Sequence, residues 1–302
     1  MPKALKRLAR RNGFLYVLYN LPRLFKGYFP IFLDYPFEPA PRYGYGKPAH
    51  AQLEAMFAAG ADAYRQQLRE FLRFEEQLAR IPARVTEKDT RASTDPCWIN
   101  RWLDGLDTFA LYGFIASRRP KLYLEIGSGY STKVVRRAVR DSDLATRIVS
   151  VDPHPRAEID ALCDELVRSN MQSLPLERFD ALNAGDILFV DGSHRVFMNS
   201  DVAVLFLDVL PRLRPGVLVH IHDVYLPVDY PPRMADWYYS EQYMLAAELL
   251  AGHAGFRVVL PGQYAATRPD IAAVLDGFWS RPEMKDVPRG GTSFWLEITA
   301  KV

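Results

Sequence analysis

From Lys121 onward, short apolar runs alternate with stretches of helical period, a pattern that predicts strands joined by helices. The runs Leu122–Ile126, Arg147–Val151, Glu165–Arg168, Ile187–Val190, Val217–Ile221, Phe256–Leu260 and Ser293–Ile298 are read as strands. Between them, Thr132–Arg140, Asp201–Val209 and Glu241–Gly252 carry helical patterns, the last opening on Ser240 as its N-cap. Such alternation implies an α/β domain with a mainly parallel sheet.

Before Lys121 the pattern changes. Gln52–Ile81 sets Leu53, Met56, Phe57, Tyr64, Leu68, Phe71, Leu72 and Leu78 near helical spacing and stops at Pro82. Trp98–Ser117, with Trp102, Leu106, Phe109 and Ile115, predicts a second helix ending before Pro120, and most of these aromatics are expected in the core. Residues 28–48 are crowded with Pro and aromatics (Phe29, Phe32, Tyr35, Phe37, Tyr43, Tyr45), which suits an extended segment at the edge of a substrate pocket. The predicted organisation is a helical, aromatic-rich region over 1–118 and an α/β domain over 119–302.

Ahead of Asp34 the chain holds Lys3, Lys6, Arg7, Arg10, Arg11, Arg23 and Lys26 with no acidic residue, interleaved with Leu5, Leu8, Phe14, Leu15, Tyr16 and Leu18. This basic amphipathic arm has two readings. One is a helix packed on its own domain with a solvated basic face, which is the expectation; the other is docking on an anionic membrane or a partner.

Charge as a whole narrows the classes. The 302 residues carry 38 basic and 36 acidic side chains, so no global field recruits nucleic acid, and none is expected as a partner. Cys97 and Cys163 form no C-x-x-C pair, which leaves no disulfide framework or zinc signature and suits a reducing cytoplasm. The apolar run Phe14–Leu21 is too short to span a bilayer.

Two constellations carry chemistry. The first, Tyr123-Leu-Glu-Ile-Gly-Ser-Gly-Tyr-Ser-Thr132, reads as a strand entering a Gly-x-Gly turn and then a helix, where bare backbone lets a ligand approach the helix amides. Thr132 stands where a dinucleotide fingerprint would have its third glycine, which argues against a tightly held pyrophosphate. The next strand ends in Asp152, at the spacing of an acid that takes the ribose hydroxyls of an adenosine cofactor. The competing role for Asp152 is a cap on the turn at Pro153.

The second constellation is Asp186-Ile-Leu-Phe-Val-Asp-Gly-Ser-His194 with Gly216-Val-Leu-Val-His-Ile-His-Asp223, which brings Asp191, His194, His222 and Asp223 to the carboxyl rim of adjacent strands. Mixed Asp/His ligation suits a hard or borderline divalent ion. Without a metal, His220 is a core histidine and the others are turn residues.

Together the Glu125–Ser131 turn, the Gly185–His194 block and the Gly216–Pro231 block resemble class I methyltransferases of the bacterial family called methyltransferase-24. The resemblance implies a Rossmann-like, seven-stranded sheet and S-adenosylmethionine as cofactor. It implies a cofactor site at Glu125, Gly127, Ser128, Gly129, Tyr130, Ser131, Asp152 and Gln172, with Asp152 on the ribose and the Asn170–Ser173 loop near adenine. Asp191-Gly-Ser-His194 also resembles the Asp-x-x-His of macrolide-sugar O-methyltransferases, which use magnesium and a histidine base. That implies His194 and Asp191 as catalytic groups, and Asp191, His222 and Asp223 around a divalent metal. His222-Asp223 replaces a Glu-Asp pair there, which favours an ion softer than magnesium, or none. The expected reaction is methyl transfer to a hydroxyl of a small molecule such as a sugar. A metal-dependent hydrolase or oxygenase, and a non-catalytic scaffold, are the competing classes.

Overall fold

A computed structural model of the chain describes residues 13–25, 39–85, 93–155, 158–252 and 255–299. The chain divides into two compact units, residues 1–41 and 42–302. The smaller holds helix α1 (Gly13–Leu24). Most of the basic arm and of the 28–48 segment lies outside the described residues.

In the larger unit, α2 (Ala51–Ala59), α3 (Ala61–Phe71) and α4 (Gly105–Arg118) precede an alternation of β1 (Leu122–Ile126), α5 (Tyr130–Asp141), β2 (Arg147–Val151), β3 (Glu165–Val167) and β4 (Ile187–Val190). Then follow α6 (Asp201–Val204), β5 (Leu218–Ile221), α7 (Glu241–Leu250), β6 (Phe256–Pro261) and β7 (Phe294–Ile298). The sheet order is β3-β2-β1-β4-β5-β7-β6. β1 to β5 are parallel to their neighbours, while β7 runs antiparallel to both β5 and β6. This is the expected Rossmann-like, class I methyltransferase sheet. The order reverses direction between β1 and β4, which is where an open α/β sheet leaves a crevice at its carboxyl rim.

Every residue of β4 and β5 is buried, as two-sided coverage requires, so β4 reads as an unbroken apolar run and β5 as one interrupted by the buried His220. Asp186 sets their starting level: its carboxylate accepts from the backbone N–H of Lys121 (3.0 Å), Leu122 (2.8 Å) and Asn183 (2.9 Å). Helices α2, α3 and α4 share this core. Phe114 of α4 packs on Trp295 of β7 with ring centroids 4.4 Å apart, and Phe57 of α2 lies 5.8 Å from Phe294.

Three helical expectations need correction. Gln52–Ile81 breaks at Gly60, where a Cβ would collide with the Tyr64 ring, and again at a 3-10 turn over Leu72–Phe74. Trp98–Ser117 becomes helical only at Gly105, because the Asn100 side chain accepts from the N–H of Trp102 (2.9 Å) and Leu103 (2.8 Å) and folds that stretch into a turn. Ser240 precedes α7, but its hydroxyl accepts from Val196 N–H at 2.9 Å rather than capping the helix.

Candidate active site

The glycine turn is fixed by backbone packing between two strands. Gly127 sits at φ +80, and a Cβ there would run into the carbonyl oxygen of Asp191. Its N–H reaches Val151 O at 3.0 Å, while Asp191 N–H reaches Ile126 O at 2.9 Å. Gly129 is different: its φ of 168 is ordinary extended backbone, and a Cβ would meet no atom within 4 Å. It borders an open cavity of about 420 Å³, within the range of small-molecule sites.

That cavity brings together most of the predicted cofactor residues: Gly127, Ser128, Gly129, Tyr130, Ser131, Asp152 and Gln172 line it, with Asn170, Met171, Trp102 and Leu103. Asp152 closes the turn from the β2 side, accepting from Ser128 N–H at 2.8 Å and His154 N–H at 2.7 Å. The start of α5 and this carboxylate thus border the same cavity, suited to a ligand with an anionic end and a pair of hydroxyls. Tyr130 hydrogen bonds through its hydroxyl to Cys97 O (2.8 Å), which sets its ring against Trp102 at 5.8 Å and 20°.

Glu125 does not reach this cavity. It is fully buried beneath the turn, accepting from the hydroxyls of Tyr123 (2.9 Å) and Thr132. Burial pushes its carboxyl up to about 7 against those hydrogen bonds. Thr132, standing where a third glycine would be, is what ties α5 to that carboxylate.

A second cavity, of about 330 Å³, shares Trp102 and Asp191 with the first. It holds His194, His222 and Asp223 as predicted, and adds Asp104, Asp107, Arg233, Tyr225, Trp237 and Tyr239. His194, at φ +60, is clamped among carboxylates. Its Nε2 lies 3.1 Å from Asp191 Oδ1 and 3.8 Å from Asp223 Oδ2, and its Nδ1 lies 2.9 Å from Glu241 Oε2. Burial opposes an imidazolium, but the hydrogen bonds and charges of Asp191 and Glu241 outweigh it and raise His194 well above the ordinary imidazole range. Asp191 is half-buried, which opposes its charge, yet the imidazoles of His222 and His194 hold its carboxyl well below the usual range. Burial raises Glu241 against the pull of His194.

The charges facing His194 are therefore negative. The expected metal finds no support in this arrangement, since Asp191 and Asp223 both face His194 Nε2. His222 directs Nε2 to the Trp102 carbonyl at 3.3 Å. Among the described residues no group of three or more His, Cys, Asp or Glu side chains is arranged to hold a metal ion. Asp191, His222 and Asp223 do not fit one. His220 is a core residue, stacked on Phe189 at 3.8 Å and bonded to Ser293 Oγ at 2.8 Å; burial holds it well below the normal imidazole value.

Glu241, Asp104 and Asp107 were not anticipated. Asp107 is fully buried and accepts from the N–H of Thr292 (2.9 Å) and Ser293 (2.8 Å), pinning α4 to the entry of β7; burial raises its carboxyl. The one sequence signal for Glu241 is a carboxylate in the first turn of a helix, directly after the aromatic loop over 225–239.

Residues 124–224 match the family model Methyltransf_24, described as a methyltransferase domain. No curated protein sequence matches the chain. Among solved structures, the O-methyltransferase TomG from Streptomyces achromogenes, involved in tomaymycin synthesis and solved with SAM, is 17% identical, with 83% of this chain and 99% of that one covered and a TM-score of 0.36. The SAH-bound methyltransferase PaMTH1 of Podospora anserina is 16% identical (85% and 100% covered, TM-score 0.40), and a Bacillus cereus O-methyltransferase in complex with SAH is 15% identical (78% and 91%, 0.36). The matched stretch contains the glycine turn, Asp152, Asp191, His194, His222 and Asp223, and it marks this chain as an enzyme with a Rossmann-like sheet whose residues 124–224 are similar to the methyltransferase domain of that family.

Proposed function

We propose that the protein transfers a methyl group from S-adenosylmethionine to a hydroxyl of a polar small molecule, such as a sugar or a secondary metabolite. The observation that carries this reading is that the turn-and-Asp152 cavity and the acidic cavity meet at Trp102 and Asp191. A donor in the first and an acceptor in the second would face one another there. When bound, S-adenosylmethionine supplies a methyl on a sulfonium; the acceptor oxygen forms the new C–O bond as the C–S bond breaks, and its proton must leave.

The residues of this chain bind, orient and take that proton. Gly127, Gly129 and the start of α5 would receive the amino-acid end of the cofactor, and Asp152 its ribose hydroxyls. Tyr225, Trp237 and Tyr239 wall the acceptor cavity with rings suited to the apolar face of a sugar. Glu241 fixes His194 through Nδ1, and Nε2, beside Asp191 and Asp223, is the nitrogen that would meet the acceptor. In this reading His194 is the base, and because its neighbours favour the imidazolium, the base form grows as pH rises through that raised pKa. A second reading is favoured by the carboxylates facing both ring nitrogens: His194 stays an imidazolium, and Asp223, whose carboxylate opens on the acceptor cavity, takes the proton. We also propose that the region before Arg119 shapes the acceptor side, which the contributions of Arg101, Trp102, Asp104 and Asp107 to that cavity support.

The test is turnover of S-adenosylmethionine to S-adenosylhomocysteine with a panel of hydroxylated acceptors. Wild type should turn over with at least one of them. Methyl transfer that persists unchanged in both His194→Ala and Asp223→Asn would reject this site.

A further inference from the structure

Helix α1 belongs to the smaller unit, and along it and the residue that follows runs a row of exposed large apolar side chains. Phe14, Leu18, Leu21 and Phe25 follow one another at intervals of four, three and four residues. At about 100° per residue they fall within an arc of about 60°. Their exposures are 72%, 50%, 41% and 85%. Large side chains gathered on one exposed stripe mark a surface that meets something else.

The charge around the stripe says what that is. The whole chain is nearly balanced, at 38 basic against 36 acidic residues, yet seven Lys and Arg and no Asp or Glu precede Asp34. An apolar stripe with cations and no acidic residue beside it in sequence is what lies in the interface of a bilayer bearing anionic headgroups. No helix among the described residues is long and apolar enough to cross a membrane, so attachment through α1 is peripheral. At 12 residues α1 is about 18 Å long, enough to lie flat and bury the stripe to headgroup depth.

We propose that α1 docks the protein reversibly on an anionic lipid surface. The apolar stripe supplies depth, and the basic residues supply attraction that salt weakens. This docking is independent of the methyl-transfer reading and stands or falls without it.

The test is co-sedimentation of the full-length protein with vesicles of phosphatidylglycerol and phosphatidylcholine in equal parts, against phosphatidylcholine alone. The expected result is sedimentation with the anionic vesicles, at least ~10-fold tighter than with neutral ones at low salt and largely reversed by 0.5 M NaCl. Leu18→Ser with Phe25→Ser should abolish it at unchanged melting temperature, and Lys6→Glu with Arg7→Glu should weaken it at least ~10-fold. Wild type that stays in the supernatant, or variants that bind as wild type does, would overturn the proposal. So would a serine variant that melts markedly lower, since the stripe would then pack within the protein.

Discussion

The two halves of the carboxyl rim are built on different physics. The β1–β2 side rests on what is missing: at Gly127 a Cβ would run into the Asp191 carbonyl, and at Gly129 it would meet no atom within 4 Å. The β4–β5 side rests on charge balance, with one imidazole held among Asp191, Asp223 and Glu241. The first half is set by backbone geometry. The second is set by protonation, so pH and single charge changes should retune it while leaving the fold in place.

The largest effect is expected at His194. His194→Ala should lower turnover on the order of 10²–10⁴-fold with cofactor affinity nearly unchanged, measured by steady-state kinetics beside calorimetry. If His194 is the base, the rate of the wild type climbs as pH rises through its raised pKa, and Glu241→Gln, which removes one stabilising carboxylate, shifts that limb to lower pH. A profile unmoved by Glu241→Gln assigns the proton to Asp223 instead. The sign for stability is opposite: the His194 ion pairs contribute fully below the unfolded value near 6.5 and are lost as pH rises through the folded one.

Next comes the contrast between the two glycines. Gly127→Ala forces a Cβ into backbone at a positive φ, and should cost about 3 kcal/mol or more in thermal or denaturant unfolding. Gly129→Ala meets no atom, so stability should stay within about 0.5 kcal/mol while cofactor affinity falls. Equal stabilities would break the claim that the first half is backbone-determined.

Glu125 gives a comparable but pH-dependent effect. Its folded value of about 7 lies above the ordinary 4.5, so the protonated form favours folding; that stability is present below pH 4.5 and lost as pH rises through about 7. The loss should reach a few kcal/mol at most, on the order of 2–3, and Glu125→Gln should flatten it in melts from pH 5 to 8. Smallest of all is the effect of a chelator: with Asp191 and Asp223 both facing His194 Nε2, EDTA should leave turnover within about twofold. A chelator-sensitive rate restored by a divalent ion would show the carboxylates rearranging around a metal.

The same comparison explains what could be read along the chain. The strands and the glycine turn were legible because buried parallel strands are continuous apolar runs and because the turn, Asp152 and their spacing are local. The set Asp191, His194, His222 and Asp223 was legible as a group, since adjacent strands deliver it. What was not legible is the partner that decides its protonation. Glu241 is 47 residues from His194, on a helix reached through an aromatic loop, and no spacing rule connects them. Asp104, Asp107 and Trp102 arrive from still further off, through a turn made by the Asn100 side chain that periodicity read as helix. Without those carboxylates His194 reads as a neutral base beside a metal, and with them it reads as a cation held in place.

The central claim is that the turn-and-Asp152 cavity is the cofactor site, and calorimetric titration of the metal-free protein with S-adenosylmethionine tests it most directly. The account predicts one molecule bound per chain, with Asp152→Ala weakening it by about 1–3 kcal/mol through the loss of the carboxylate that takes the ribose hydroxyls. A wild-type protein that takes up no S-adenosylmethionine under these conditions would contradict it.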